Sequence, residues 1–240
     1  MPPPKLKLYV DTVSPFAYVA YYILRHDPVF SKCEVTFVPI LLGGVMKACG
    51  NTAPINIKNK DKWIEVERLR WAKAFNIPMK PDAPEGFPPK TLTMMRALCA
   101  LTALHPGDEA QKPLTDCLDA LYEAYWVHHK KTDEKDVLAQ LLSDVLGKQE
   151  AEKGMHLIIG NDGDQADKYA VLEMAGKEGK AILSKNTDVA FADGAFGLPW
   201  FVATNSKSET EKFWGVDHLA QVTQHLGLEK PKMGGWTSLL

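Results

Sequence analysis

Strand-like sequence is confined to the two ends of this chain, and that distribution constrains the fold more than any other feature. Lys5 to Val10 reads as a strand, Pro15 to His26 as a helix and Val35 to Pro39 as a second strand. From Lys60 to about Ala190 the apolar spacing is helical, with no strand-like alternation. Trp63, Val66, Leu69 and Phe75 form one stripe before Pro78, Met94, Ala97, Leu98, Leu101 and Leu104 a second before His105-Pro106, and Leu114, Cys117, Leu118, Leu121, Tyr125 and His128 a third. Thr132-Asp133-Glu134 opens a further helix with a cap and first-turn acids, and Gly154, Asn161 to Asp164 and Gly179 punctuate the rest of the helical block. Strand texture returns only at Pro199 to Ala203 and Thr210 to Trp214. The turn formers Thr204 to Ser208 between them predict a hairpin, with a helix after it from about Asp217 to Leu226.

Without its middle, the order is βαβ then ββα. The first helix separates two strands by the length of a right-handed crossover, so those strands pair in parallel, and the hairpin adds two more. This is the thioredoxin arrangement. The sequence therefore predicts an α/β chain: a thioredoxin-like fold with an inserted all-helical domain. Residues 1–55 and 185–240 form the discontinuous thioredoxin-like domain and residues 56–184 the helical insertion. The segment from Leu41-Leu42-Gly43-Gly44 through Gly50-Asn51-Thr52-Ala53-Pro54 reads as a loop rich in turn formers.

Composition narrows the function. The 28 basic and 30 acidic residues are interspersed, for a formal charge of -2, which leaves no electrostatic footprint for nucleic acid or an acidic membrane. No apolar run approaches the length of a membrane span, so a soluble chain is expected. Met1-Pro2-Pro3-Pro4-Lys5 leads straight into a strand without a secretory core or an amphipathic transit segment, so a cytoplasmic protein is the simplest reading. The four cysteines, Cys33, Cys49, Cys99 and Cys117, form neither a CxxC pair nor a zinc-ligand spacing.

The strand-to-helix junction Asp11-Thr12-Val13-Ser14-Pro15-Phe16 is where a thioredoxin-type fold carries its reactive thiols, and here it holds no cysteine. Ser14 caps the helix and Pro15 takes its first position, where a missing N–H costs nothing. Beyond capping, the Ser14 hydroxyl and the first backbone N–H groups are placed to meet a thiolate supplied by a ligand. A free thiol has a pKa of about 8.5, and lowering it by two units requires about 2.7 kcal/mol. A hydrogen bond to a charged acceptor contributes about 1.5–3 kcal/mol. The helix N-terminus contributes about 0.3–1 kcal/mol. Together these suffice to ionise a borrowed sulfur.

Two more segments converge on Ser14 in such a fold. Leu198-Pro199 opens a strand. If the bond between them is cis, the Leu198 N–H and C=O turn outward, where an extended peptide can pair with them. Asp217 caps the last helix, or else its carboxylate meets an ammonium while the neighbouring N–H groups hold a carboxylate. That second pair of demands describes the α-amino acid end of a γ-glutamyl group. Asn51 and Lys60 stand where they can hold the opposite end of a peptide, or are a turn residue and a solvated charge.

Other constellations carry less. His128-His129 face different sides of a helix, so no shared metal is expected. Asn161-Asp162-Gly163-Asp164 lacks calcium-loop spacing and reads as a capping turn. The glycine-rich pieces match neither a phosphate loop nor a dinucleotide fingerprint.

Four stretches carry a family resemblance: Asp11 to Phe16; Gly43 to Lys47 with Gly50-Asn51; Gly194-Ala195-Phe196-Gly197-Leu198-Pro199; and Phe213-Trp214-Gly215-Val216-Asp217. In them the chain resembles the kappa-class glutathione transferases, within the group that includes DsbA and the 2-hydroxychromene-2-carboxylate isomerases. The resemblance implies Ser14 as the residue activating the glutathione thiol. It also implies Pro15, Phe16, Asn51, Lys60, Leu198, Pro199, Val216 and Asp217 around glutathione, the co-substrate, with no metal. Phe16 stands where the family often has tyrosine, and Val216 where serine is common. The implied activity is conjugation of glutathione to a small electrophile, with peroxide reduction as a side activity and detoxification as its role. The alternatives are a glutathione-dependent isomerase of the chromene-carboxylate type and a non-catalytic glutathione-binding module. The resemblance further implies a homodimer and admits a mitochondrial or peroxisomal location.

Overall fold

The computed structural model describes residues 2–104, 111–153, 176 and 178–239. The described residues hold four strands, β1 (Lys5–Val10), β2 (Glu34–Pro39), β3 (Trp200–Thr204) and β4 (Thr210–Trp214), with a run of helices between β2 and β3. The helices are α1 (Pro15–His26), α2 (Leu42–Ala48), α3 (Lys60–Ala74), α4 (Leu92–Leu104), α5 (Gln111–Tyr122), α6 (Lys135–Lys153), α7 (Glu178–Ala192) and α8 (Leu219–His225). The chain divides into two compact units, Met1–Ala83 with Asn186–Leu240, and Pro84–Lys185.

The first unit holds the sheet, in the order β2-β1-β3-β4. β1 pairs in parallel with β2, Lys5 opposite Glu34 and Val10 opposite Pro39. On its other side β1 runs antiparallel to β3, Tyr9 opposite Trp200, and β3 antiparallel to β4, Trp200 opposite Trp214. The mixed sheet and the βαβ–ββα order are those of the thioredoxin-like, DsbA-like fold expected from the sequence. β1 is the central strand, and Leu6, Leu8, Tyr9 and Val10 are buried. A parallel pair needs a crossover covering one face, and α1 supplies it, with Ala17, Tyr18, Val19, Ala20, Tyr21, Ile23 and Leu24 all buried.

Three features of this unit differ from the sequence reading. The glycine-rich stretch after β2 is helical over α2. Two long-range acceptors fix its start, Asp11 Oδ2 taking the Leu42 N–H at 2.9 Å and Thr187 Oγ1 the Leu41 N–H at 3.1 Å. At Gly44, where α2 approaches α7, a Cβ would lie 3.1 Å from Thr187 Cγ2, a contact tight enough that the threonine would have to shift. Tertiary contacts thus override the weak helix propensity of glycine.

In α3 the first half of the expected apolar stripe faces outward, Trp63 being 56% and Val66 47% exposed, while Leu69 and Phe75 are half-buried and Arg68 is 1% exposed. The Arg68 guanidinium is satisfied by Glu65 Oε2, the Lys80 carbonyl at 2.9 Å and the Pro81 carbonyl at 2.5 Å, so it clamps the segment after α3 onto the helix. Because α3 packs on α1 and on the C-terminal turn Gly234–Ser238, it belongs with the sheet. The first compact unit accordingly runs to Ala83. Finally, that C-terminal turn docks through Trp236, which donates its indole N–H to Asp27 Oδ2 at 2.6 Å and packs against Phe30 and Phe75.

The second unit is helical. α5 packs against α4 and α6, burying Met94, Leu98 and Leu101 of α4, Leu114, Cys117, Leu118 and Leu121 of α5, and Leu138 and Leu142 of α6. α5 runs on into a π-helical turn, Glu123–Val127. Gly179 lies in the first turn of α7 against the Arg96 carbonyl, where no Cβ fits. The expected breaks at His105-Pro106, Gly154 and Asn161 to Asp164 lie outside the described residues.

Candidate functional site

The Asp11–Ser14 turn is built by its own side chains. Asp11, fully buried, accepts the Val13 N–H at 3.3 Å through Oδ1, and the Ser14 N–H donates to the Asp11 carbonyl at 3.1 Å. Ser14 then caps α1, with Oγ accepting the Ala17 N–H at 3.1 Å and the Ser14 carbonyl accepting from Tyr18. A hydroxyl has one proton to donate as well as lone pairs, and the capping bond uses only a lone pair. Pro15 has no N–H. The Phe16 N–H has no hydrogen-bond partner among the described residues, so it is the orphan donor at the helix start. Ser14 is 6% exposed.

The segment from Ala195 to Pro199 lies beside this turn. Ala17, Ala195, Leu198 and Trp200 belong to one packed cluster with Tyr9, Ile40 and Val45. The Leu198–Pro199 peptide bond is cis. Neither the N–H nor the C=O of Leu198 has a hydrogen-bond partner among the described residues, whereas the Pro199 carbonyl accepts the Gly215 N–H at 3.1 Å. That bond ties the segment to the third one, the 3-10 turn Val216–His218, which also packs against α1.

Asp217 does not cap the last helix. It sits inside the 3-10 turn, α8 starts only at Leu219, and no side-chain capping bond is made at either. Its carboxylate curls back over Gly215, occupying the place a Cβ would take, with His218 Nδ1 3.4 Å from Oδ2. Gly215 meets both demands, since its φ of 97° is in the region that favours glycine. Val216 is buried.

Asn51 reaches the same place from the other side. Its Nδ2 donates to the Phe196 carbonyl at 2.7 Å and its Oδ1 accepts the Thr52 N–H at 2.8 Å. Phe196 in turn packs against Trp200 and Trp214, with ring centroids 5.5 and 4.8 Å away. Lys60 starts α3 with its side chain exposed and making no hydrogen bond or ion pair among the described residues. The structure thus brings Ser14, Pro15, Phe16, Leu198, Pro199, Val216 and Asp217 together, adds Asn51 through Phe196, and leaves Lys60 untied.

Sequence reasoning missed Asp11, Phe196 and Gly215. An aspartate two residues before a turn N–H is an Asx-turn signal and was available for Asp11. The four thiols differ in exposure, and Cys49 Sγ lies 4.0 Å from the Phe196 carbonyl. Desolvation pushes Cys33 and Cys117 up to about 12, and Cys99 is buried; Cys49 is exposed at the end of α2. Among the described residues no three histidine, cysteine or carboxylate side chains gather to hold a metal, and His128 meets Glu123 Oε1 at 3.2 Å. Among the described residues, no helix is long and apolar enough to cross a membrane.

The chain is similar over 92% of its length to glutathione S-transferase kappa 2 of Caenorhabditis elegans, at 25% identity, covering 91% of that protein. It is 26% identical to the kappa 1 enzyme of Rattus norvegicus over 94% of its length and 92% of the relative's. Among solved structures, a 2-hydroxychromene-2-carboxylate isomerase superposes with a TM-score of 0.67 at 21% identity, covering 93% of this chain and 94% of the other. At that identity the likeness speaks for the fold. Residues 5–227 match the DSBA-like thioredoxin domain family, and the chain belongs to it.

Proposed function

We propose that this chain is a kappa-type glutathione transferase that conjugates the thiol of glutathione to a small electrophile. The observation that carries the reading is the convergence of three segments on a helix start that holds a serine and no cysteine, in a chain whose kappa-class relatives align along more than nine-tenths of it. The sulfur then comes from the substrate peptide. Its cysteinyl backbone pairs with the unpartnered Leu198 N–H and C=O, and its γ-glutamyl carboxylate takes the amides of the 216–217 turn. Its ammonium meets Asp217, which the fold around Gly215 holds in place.

In this pose the Ser14 hydroxyl donates to the sulfur while its lone pair stays on the Ala17 N–H, and the Phe16 N–H and helix dipole add to the stabilisation. The thiolate attacks the electrophile, a carbon–sulfur bond forms, and the leaving group or an added proton completes the balance. Val216 contributes through its backbone, so the side-chain hydroxyl common in the family at that position is dispensable. Lys60 is proposed to meet the glycyl carboxylate, with its free ammonium as the supporting feature.

Incubation with glutathione and a chlorinated nitroaromatic acceptor tests the reading. Consumption of glutathione with release of chloride is expected. If a chromene-carboxylate substrate is instead isomerised with glutathione unchanged, the isomerase reading replaces it; binding without either reaction leaves a glutathione-binding module.

A further inference from the structure

Three aromatic rings step outward from the core beside the loop before β3. Trp200 is buried, Phe196 meets it with centroids 5.5 Å apart and planes at 73°, and Trp214 at the end of β4 meets Phe196 at 4.8 Å and 51°. The outer two rings stay open, Phe196 being 37% and Trp214 45% exposed. A lone exposed ring needs no explanation, but two in contact form a continuous apolar surface. They stand on the segments that converge on Ser14, since Phe196 is two residues before Leu198 and Trp214 two before Val216. The Trp214 indole lies along the loop itself: a Cβ on Gly197 would stand 3.0 Å from Nε1 and 3.6 Å from Cε2, so the missing side chain lets the ring reach the backbone next to Leu198.

We infer that Phe196 and Trp214 form the acceptor subsite and select electron-poor aromatic electrophiles, with Trp214 as the specificity-determining residue. The inference rests on the glutathione reading and names the class of its second substrate. Glutathione is polar along nearly its whole length, so an apolar surface beside its backbone edge is left for the acceptor. Indole is the most electron-rich side-chain ring and stacks best on a ring depleted of electrons. Trp214 Nε1 makes no hydrogen bond among the described residues, so its N–H is free to donate to an oxygen substituent on that ring. An aliphatic electrophile uses neither feature. The surface is fixed before any ligand arrives, because Phe196 is held by its ring on Trp200 and by its carbonyl, which accepts from Asn51 Nδ2 at 2.7 Å.

Equilibrium binding of two conjugates separates the acceptor subsite from the glutathione site without any reaction. S-(2,4-dinitrophenyl)glutathione carries the aromatic group and S-methylglutathione does not. The wild type is expected to bind the aryl conjugate about tenfold more tightly, the size of effect that stacking and burial of one ring supply. Trp214→Leu keeps the apolar bulk and removes the ring. It is expected to lose most of that preference while its Kd for S-methylglutathione stays within a factor of two. Trp214→Phe keeps a ring without the N–H and should fall between them. The wild type also gives a readout that needs no folded leucine variant: the indole N–H resonance that disappears in Trp214→Phe should shift with the aryl conjugate and not with S-methylglutathione.

Equal weakening of both conjugates in Trp214→Leu overturns the inference, because Trp214 then serves the loop or the glutathione part. A wild type that does not prefer the aryl conjugate overturns it as well. So does a Trp214 resonance that moves on dilution of the ligand-free protein and not with the aryl conjugate, since a second copy of the chain then covers the surface. If the wild type binds neither conjugate, the glutathione reading falls, and 2,4-dinitrotoluene, which has no glutathione part, decides the subsite alone. A saturable shift of the Trp214 resonance with that probe sustains the aromatic subsite, and no shift overturns it.

Discussion

The turn before α1 and the loop before β3 face the same site but are held in opposite ways. The first is closed by its own neighbours: Asp11 to Val13, Asp11 to Ser14, Ser14 to Ala17. The second is closed locally only at its start, by Gly194 and Ala195 onto Phe191 and Ala190, and beyond that its fixed points come from Cys49 and Asn51 far upstream and from Gly215 beyond the hairpin. A catalytic group gains from local closure, since its geometry is set as soon as the helix starts. A recognition edge gains from the reverse, because a backbone that satisfied itself would have nothing left to offer a peptide.

The largest expected effect breaks the locally closed side. Asp11→Ala leaves the half-buried Val13 and Leu42 N–H groups without their acceptor, at the lower end of about 1–3 kcal/mol each, so we expect a loss of about 2 kcal/mol in urea unfolding. Asp11→Asn, which retains one acceptor oxygen, should lose about half as much. Equal losses in the two variants would mean that the bonds to the turn and to α2 are not what Asp11 contributes.

On the remotely held side, Gly215→Ala combines a left-handed backbone with displacement of the Asp217 carboxylate and is expected to cost about 1–3 kcal/mol. It should also weaken glutathione at least tenfold, because the proposed ammonium partner moves. Full affinity in a destabilised variant would detach Asp217 from the ligand.

An effect absent at neutral pH is expected on the alkaline side. Burial raises the Cys117 thiol to about 12, against about 8.5 for an unfolded thiol, and burial with the Asp193 carboxylate beside it raises the Tyr9 hydroxyl further. The folded chain keeps protons that the unfolded chain releases, so this contribution is complete below about pH 8.5 and is lost as pH climbs toward 12. Urea midpoints should therefore fall across that window, and less steeply in Cys117→Ala. A flat profile would show these groups to be solvated.

The parts of the structure legible in the sequence divide along the same line. The strands, α1 and its Ser14 cap rest on local propensity and spacing, and the order βαβ–ββα leaves few topologies. α2 was not legible, because its first amide bonds depend on Asp11 and Thr187, and the propensity of Gly43-Gly44 points the other way. The α3 stripe misled because Arg68 finds two backbone carbonyls and Glu65, so a buried cation replaces an apolar face. The docking of Trp236 on Asp27 links positions 209 residues apart and has no local signature. Within the site, the convergence of Ser14, Leu198 and Asp217 could be read from the fold, whereas the bond from Asn51 to Phe196 could not.

The most direct test is to titrate the thiolate absorbance of glutathione bound to the protein. The account predicts a thiol pKa about two units below the free value of about 8.5 in the wild type, returning most of the way in Ser14→Ala. An unshifted pKa in the wild type, or a shift that survives in Ser14→Ala, would contradict it.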